Sequence, residues 1–189
     1  APGEIGRALA EIDTPALLVD LAAFERNVAR MAAHFREAGV QWRPHTKGQK
    51  VPALVHREIA AGAAGATCAK LGEAEVLADA GIDNILIANQ IVGAAKLARL
   101  MALRRRATVL VGLDSEENAR EISEAALAWG VRQGVLIEVD CGMQRCGVLP
   151  GEPALALARV VGGLPGLELK GLMTWEGHTI RLPDEEKAT

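Results

Sequence analysis

The hexapeptide VLIEVD, residues 135–140, carries the pattern that decides the fold. Side chains alternate along a β-strand, so one face holds two valines and an isoleucine, and the other holds Leu136, Glu138 and Asp140. In a (β/α) barrel an apolar strand face packs on helices, and polar groups near the strand ends face the active site. A solvated edge strand is the alternative, which is disfavoured because predicted helices flank the hexapeptide on both sides.

Short runs rich in Val, Ile and Leu alternate with longer stretches of helical spacing throughout the chain. The predicted strands cover residues 17–20, 41–45, 66–69, 85–88, 108–111, 135–140 and 169–173. The predicted helices cover residues 22–37, 51–61, 72–80, 93–103, 115–129 and 152–161. This alternation predicts an α/β fold with a parallel sheet, either doubly wound or a (β/α)8 TIM-type barrel. No glycine-rich fingerprint follows the first strand, which disfavours a dinucleotide-binding fold.

Composition excludes several classes of partner. Half of the 189 residues are hydrophobic, which is enough for the core of one domain. The formal net charge of −3 provides no bulk positive field for nucleic acid. Neither a membrane-spanning stretch nor a leader pattern is found, so we expect no membrane partner. An odd count of three cysteines is typical of a reducing compartment, and we expect a cytoplasmic location.

Residues 41–50, QWRPHTKGQK, contain three alternating cations. On a strand, Arg43, His45 and Lys47 would project to one side. Burial beside other cations would favour the neutral, nucleophilic form of Lys47, the form that reacts with carbonyl groups. A bound anion would offset the remaining charge. A solvated basic loop is the alternative, but Trp42 and the apolar residues that follow favour a partly buried setting.

Further polar residues fall at the carboxyl ends of predicted strands, where (β/α) barrels bind their ligands. These candidates are Lys70, Asn89, Gln90, Arg145 in the loop 141–147, and Trp175, Glu176 and His178. Cys141 and Cys146 lack the spacing of a zinc site, so we expect them to have structural roles. No metal-ligand set can be identified in the chain.

Six segments together resemble the fold-type III pyridoxal phosphate enzymes related to alanine racemase, in the D-threonine aldolase and D-serine dehydratase branch. They are DTPALLVDLAAFERN at 13–27, RPHTK at 43–47, AKLGEAE at 69–75, IANQI at 87–91, EVDCGMQRCGV at 138–148 and WEGH at 175–178. The combination of RPHxK with a later DxGxxRxG is specific. The resemblance extends over nearly the whole chain.

The resemblance implies a (β/α)8 barrel of the alanine racemase N-terminal type, incomplete in this chain. Residues 1–21 would form a leading segment and strand that belongs with a C-terminal β domain in relatives. Residues 22–189 would form part of the cofactor-binding barrel, and the C-terminal β domain would be absent. A barrel takes about 200 residues or more, so we expect that this chain does not close a barrel alone.

The resemblance also implies roles for individual residues. Lys47 would be the catalytic lysine that binds pyridoxal phosphate covalently, and Arg145 would lie near the phenolic oxygen of the cofactor. The remaining cofactor-pocket residues would be His45, Asn89, Gln90 and Trp175, with Arg43, Lys70, Glu176 and His178 as substrate or pocket candidates. The family usually has tyrosine where Trp175 stands, and an indole can only donate a hydrogen bond.

The expected activity is a lyase reaction on D-β-hydroxy-α-amino acids, of the D-threonine or 3-hydroxy-D-aspartate type, that gives glycine and an aldehyde. Dehydration of D-serine or D-threo-3-hydroxyaspartate is the first alternative, and a non-catalytic pyridoxal phosphate-binding barrel is the second. The family further implies a divalent metal, Mn, Mg or Zn, whose ligands are not in this chain, and a homodimer of the complete enzyme.

Overall fold

The structure, a computed structural model, describes residues 6–186. Residues 1–5 of the predicted leading segment and residues 187–189 of the predicted barrel segment lie outside the described residues. The chain divides into two compact units, one that runs to Val40 and one that begins at Gln41. None of the helices in the described range 6–186 is long and apolar enough to cross a membrane.

The first unit contains a short 3-10 turn, Leu9–Glu11, and the helix α1, Leu21–Glu37. The predicted strand at residues 17–20 is wrong, because these residues have no strand conformation. Asp20 instead caps α1, since its side chain accepts a hydrogen bond from the Ala23 N–H at 2.9 Å. A short acceptor side chain at this position satisfies one of the free N–H groups of the first helical turn.

The second unit alternates helices and strands. Its helices are α2 Pro52–Ala60, α3 Leu71–Asp79, α4 Ala94–Arg104, α5 Glu116–Ala128 and α6 Glu152–Gly163. Its strands are β1 Ala66–Cys68, β2 Ile85–Gln90, β3 Val109–Leu113, β4 Gln133–Val139 and β5 Leu167–Thr174, and the 3-10 turns Gly177–Arg181 and Asp184–Glu186 follow. The corresponding predicted elements, together with α1, are confirmed to within two residues at each end.

The five strands form one parallel sheet in the order β1-β2-β3-β4-β5. Strands in sequence order with a helix between each pair are the arrangement of a (β/α) barrel, and the prediction of that architecture is confirmed. Within residues 6–186 the sheet has five strands and stays open. All parallel strands end on the same side, so the residues after β1 to β5 meet at one rim.

The predicted strand at residues 41–45 is only partly formed. Its backbone runs beside β1, where the Pro44 carbonyl accepts from the Thr67 N–H at 2.8 Å and Thr67 accepts from the Thr46 N–H at 2.7 Å. The result is a single bridge between His45 and Thr67. Pro44 has no N–H to donate to a ladder, and the chain turns directly after His45. A regular strand therefore does not develop.

The core lies between the sheet and its helices. On the outward face of the strands, the side chains of Ile85, Val109, Val111, Val135 and Ile137 are fully buried. The prediction for VLIEVD is confirmed, since two of these apolar residues come from it while Glu138 faces the opposite side and lines a cavity. The helices thus cover one face of the sheet, and residues on the other face line the cavity.

Candidate functional site

A cavity of about 670 Å³ opens at the carboxyl ends of the strands. Its wall is lined by His45, Lys47, Thr67, Ala69, Leu86, Ala88, Asn89, Gln90, Glu138, Arg145, Cys146, Met173, Thr174 and Trp175. The set combines three cationic or basic side chains with small apolar ones. Parallel strands bring these residues together from positions more than 100 apart in the sequence, as expected for a (β/α) barrel rim.

Lys47 lies in the turn that follows the bridge at His45. Its backbone N–H donates to His45 Nδ1 at 3.3 Å, and its Nζ lies 5.8 Å from the centroid of the Trp175 ring. The pKa of His45 is lowered by burial and by the positive charge of Lys47, although Glu73 acts in the opposite sense. His45 is therefore neutral near pH 7, and the hydrogen bond to Nδ1 leaves the proton on Nε2.

Trp175 covers the amine of Lys47 at a distance typical of a cation–π contact. Two features hold the segment that carries Trp175. The Cys141 thiol donates a hydrogen bond to the Trp175 carbonyl at 3.4 Å. The backbone of Gly142 also packs against the His178 ring, since a Cβ on Gly142 would lie only 2.9 Å from His178 Nε2. The loop after β5 thus packs against the loop after β4.

Arg145 lies in the loop after β4, residues 141–147, which we call the Arg145 loop. Asp140 Oδ1 accepts from the N–H groups of Gly142 and Gln144, at 2.9 and 3.0 Å. These backbone hydrogen bonds hold the pKa of Asp140 below its usual value. Asp140 therefore stabilises the loop as a carboxylate, which explains the second acidic residue of VLIEVD.

Glu138 is a buried carboxylate, 4% exposed, on the cavity wall. Its Oε1 accepts from the Cys146 thiol at 3.0 Å and lies 3.5 Å from Arg145 Nη2. Its Oε2 accepts from Gln90 Nε2 at 2.6 Å. A buried charge requires such partners, because an uncompensated carboxylate would cost several kcal/mol. Glu138 consequently holds groups from β2 and from the Arg145 loop in place.

Asn89 and Gln90 end β2 at the rim. Asn89 Nδ2 donates to the Ala69 carbonyl at 3.0 Å, and its Oδ1 accepts from the Gln90 N–H at 3.0 Å. Gln90 Nε2 donates to Glu138 and also to Asp114 Oδ2, the latter at 3.0 Å. Both hydrogens of the Gln90 amide are used, so its oxygen is the group that it can offer to a ligand.

Six predicted site residues line the cavity: Lys47, His45, Arg145, Gln90, Asn89 and Trp175. Arg43 does not, because its Nη1 donates to Asn84 O and Oδ1, both at 2.7 Å, at the amino end of β2. The expected convergence of Arg43 with His45 and Lys47 fails since Arg43 lies before the bridge, at the far end of the sheet from the rim. Burial lowers the pKa of Arg43 there.

Three further candidates also lie outside the cavity wall: Lys70, Glu176 and His178. Lys70 is the first residue before α3. β1 ends at Cys68, so Lys70 lies in the bend between β1 and α3 and not on a strand face. Glu176 precedes the turn Gly177–Arg181, where its carbonyl accepts from the Thr179 N–H at 2.9 Å.

The sequence-based selection missed Glu138, Cys146 and Asp114. Alternation had placed Glu138 on the polar face without giving it a role, and Cys146 had been assigned a structural one. Asp114 was missed because the strand predicted at residues 108–111 ends three residues before it, whereas β3 ends at Leu113. With the correct end, Asp114 comes directly after β3 and lies at the same rim where Asn89 and Gln90 end β2.

The cavity residues fit the ring and aldehyde of pyridoxal phosphate. Lys47 supplies the primary amine that the aldehyde requires, and Arg145 supplies a cation for an anionic ring oxygen. Ala69 and Ala88 are small residues that leave room for a planar ring. In the described part of the chain, no group of three or more His, Cys, Asp and Glu side chains could hold a metal ion.

Comparison with known proteins agrees with this geometry. Residues 19–189 match the family described as alanine racemase, N-terminal domain. The chain is 42% identical over 176 residues to a D-threonine aldolase of Arthrobacter sp., a match that covers 93% of this chain and 46% of the relative. It is 36% identical over 179 residues to a 3-hydroxy-D-aspartate aldolase of Paracoccus denitrificans, a match that covers 94% of this chain and 46% of the relative.

A D-threo-3-hydroxyaspartate dehydratase of Delftia sp. strain HT23 is 35% identical over 182 residues, covering 94% of this chain and 47% of the relative. Among solved structures, the D-threonine aldolase of Filomicrobium marinum superposes with a TM-score of 0.91 at 47% identity. That match covers 95% of this chain and 49% of the solved chain. The chain therefore spans about half of the length of the curated relatives that it matches.

Proposed function

Because the chain belongs to the alanine racemase N-terminal domain family, we propose that it forms the cofactor-binding part of a pyridoxal phosphate-dependent lyase. The proposed substrates are D-β-hydroxy-α-amino acids of the D-threonine or 3-hydroxy-D-aspartate type, which are cleaved to glycine and an aldehyde. The observation that carries the proposal is the presence of Lys47 and Arg145 in one cavity at the strand ends. The aldolase relatives give the reaction type.

Bound pyridoxal phosphate would supply an electron-withdrawing ring that stabilises negative charge at the substrate α-carbon. Lys47 would hold the cofactor through Nζ and, once displaced by substrate, deliver a proton to the α-carbon that becomes the glycine methylene. Arg145 would orient the ring through its phenolic oxygen, and its guanidinium lies 3.5 Å from Glu138. His45 Nε2 and the Gln90 oxygen remain as a donor and an acceptor on the same wall.

The family resemblance also suggests a divalent cation, Mn²⁺, Mg²⁺ or Zn²⁺, near the substrate hydroxyl. The described residues provide no set of three ligands for such an ion.

Dehydration of a D-β-hydroxy-α-amino acid is the second candidate function. The 35% identical D-threo-3-hydroxyaspartate dehydratase favours it, since that relative covers as much of this chain as the aldolases do. Both reactions involve the same cofactor and the same α-carbon. They differ in the bond that breaks, because an aldolase breaks the Cα–Cβ bond and a dehydratase removes the β-hydroxyl as water.

Product analysis separates the candidates. The full-length protein is incubated with pyridoxal phosphate, Mn²⁺ and either D-threonine or D-threo-3-hydroxyaspartate, with L-threonine as the stereochemical control. Glycine and an aldehyde support the proposal, whereas ammonia and an oxoacid would transfer it to the dehydratase. Cofactor binding with neither product indicates a non-catalytic carrier. Lys47→Ala is expected to abolish turnover, and the exposed Lys96→Ala on α4 serves as the matched control.

We further propose a cytoplasmic location and a homodimeric assembly for the full-length protein. Cys68, Cys141 and Cys146 all have free thiols, which fits a reducing compartment. The homodimer rests on the family resemblance. Light scattering coupled to size-exclusion chromatography of the full-length protein tests it, and a monomeric mass would contradict it.

A further inference from the structure

We propose that Asp114 is a positioning residue of the site, which fixes both the Arg145 loop and the Gln90 side chain. Asp114 directly follows β3 and does not line the cavity. It would therefore act through its neighbours rather than on a ligand. The inference rests on the proposed function, because the loop that it fixes carries Arg145, the residue assigned to pyridoxal phosphate.

A single oxygen of Asp114 joins two separate elements. Its Oδ2 accepts from the Gly147 N–H at 2.9 Å and from Gln90 Nε2 at 3.0 Å. Gly147 closes the Arg145 loop after β4, and Gln90 is the last residue of β2. A carboxylate at the end of β3 thus ties together the ends of the strands on either side of it.

The charge of Asp114 matters because its donors are shared. Gln90 Nε2 donates to Asp114 and to Glu138, so this amide lies between two carboxylates. Hydrogen bonds to a charged acceptor are roughly twice as strong as those between neutral groups. The two carboxylates together determine which end of the Gln90 amide faces the cavity.

The position of Arg145 depends on the backbone of its loop. The guanidinium is half-exposed, and its distance of 3.5 Å from Glu138 is long for an ion pair. Long exposed side chains lose little energy by moving away from such a partner. Gly147, held by Asp114, is two residues further along the chain, so the anchored N–H limits how far the loop can shift.

The first test measures the affinity for pyridoxal phosphate in the full-length protein, by the visible absorbance that develops on titration. Asp114→Ala removes the oxygen that accepts both hydrogen bonds, and we expect the affinity to fall about tenfold or more. Asp114→Asn keeps an oxygen that can accept from both donors but lacks the charge, so only part of the affinity should return. Asp79→Ala, at an exposed aspartate paired with Arg106 in the turn after α4, is the control and should bind as the unmodified protein does.

A double-mutant cycle shows whether Asp114 acts through the Arg145 loop. Asp114→Ala should reduce the free energy gained on binding pyridoxal phosphate in the otherwise unmodified protein. In an Arg145→Ala background we expect the same substitution to cause less than half of that loss, because part of its effect is already lost. Full additivity of the two losses would overturn the proposal.

The second test needs no cofactor and reports on the loop itself. The thiol of Cys146, next to Gly147, is partly buried, and its pKa is raised by this partial burial and by the hydrogen bond that it donates to Glu138. We expect Asp114→Ala to raise its iodoacetamide labelling rate about fivefold or more, since a released loop exposes the thiol. Peptide mapping separates Cys146 from the exposed Cys141.

The outcomes separate this proposal from the proposed function. If the unmodified protein develops no absorbance with pyridoxal phosphate, the proposed function fails, and Cys146 labelling alone decides whether Asp114 holds the loop. Unchanged labelling and affinity in Asp114→Ala would overturn the positioning role. Asp114→Ser, too short to reach either donor, is used if the alanine variant does not fold. Unfolding of both, with Asp79→Ala folded, would assign Asp114 to stability and likewise overturn the proposal.

Discussion

Gly147 is the position where the Arg145 loop returns to β4, and an alanine there should be costly. Its φ is +103°, a conformation that L side chains rarely adopt. A Cβ at Gly147 would lie 2.7 Å from the Asp140 nitrogen and 2.9 Å from the Val139 carbonyl carbon. Both of these atoms are backbone, so no side chain can rotate away to make room.

The magnitude has two parts. A left-handed conformation costs an alanine about 1–2 kcal/mol. Relief of the close contacts would separate the backbone and weaken two hydrogen bonds, from the Asp140 N–H to the Val148 carbonyl and from the Val148 N–H to the Glu138 carbonyl, each 2.9 Å. Each bond contributes about 0.5–1.5 kcal/mol. Gly147→Ala should therefore lower the free energy of unfolding by about 2–5 kcal/mol.

The matched control is Gly151→Ala, where φ is +82° and no atom lies within 4 Å of the added Cβ. This variant has the conformational strain without the contacts, so we expect a loss of about 1–2 kcal/mol. Urea denaturation of the full-length protein measures both variants against the unmodified protein. Equal losses in the two variants would refute the argument that the backbone of β4 sets the shape of the loop.

Two further predictions concern titratable groups. Burial and Glu73 raise the pKa of the Cys68 thiol to about 12. Iodoacetamide at pH 8 should therefore leave Cys68 unlabelled while the exposed Cys141 reacts. Equal labelling of the two thiols would contradict the burial of Cys68. The pKa of His45 is lowered in the folded protein, so the unfolded chain binds the proton more tightly and stability should fall as the pH drops below the unfolded value of about 6.5. His45→Gln should reduce this loss, as measured by urea denaturation at pH 7 and pH 5, and an unchanged pH dependence would argue against a lowered pKa of His45.

Most of the fold could be predicted because its elements bury apolar faces of clear periodicity. The alternation in VLIEVD correctly separates the helix-packing face from the cavity face, since Val135 and Ile137 are fully buried and Glu138 lines the cavity. The strand predicted at residues 17–20 failed for a different reason. An apolar run alone does not determine conformation when Asp20 can cap the helix that follows.

The candidate site was predictable where residues follow strands directly. Asn89 and Gln90 end β2, and both line the cavity. Arg43 was misplaced because alternation specifies a side of a strand and not the distance along it. Asp114 and Cys146 act through hydrogen bonds to Gln90, Gly147 and Glu138. Such contacts between distant segments have no periodic signal in the sequence.

The residue that binds pyridoxal phosphate is the central claim, and covalent labelling tests it most directly. The full-length protein is incubated with pyridoxal phosphate, reduced with borohydride, digested and mapped by mass spectrometry. Lys47 lines the cavity, whereas Lys50 pairs with Glu73 at 3.2 Å and Lys70 immediately precedes α3, outside the wall. We predict the label on Lys47, with Lys47→Ala abolishing the visible absorbance and Lys50→Ala retaining it. A label on Lys50 or Lys70 instead would contradict the site described here.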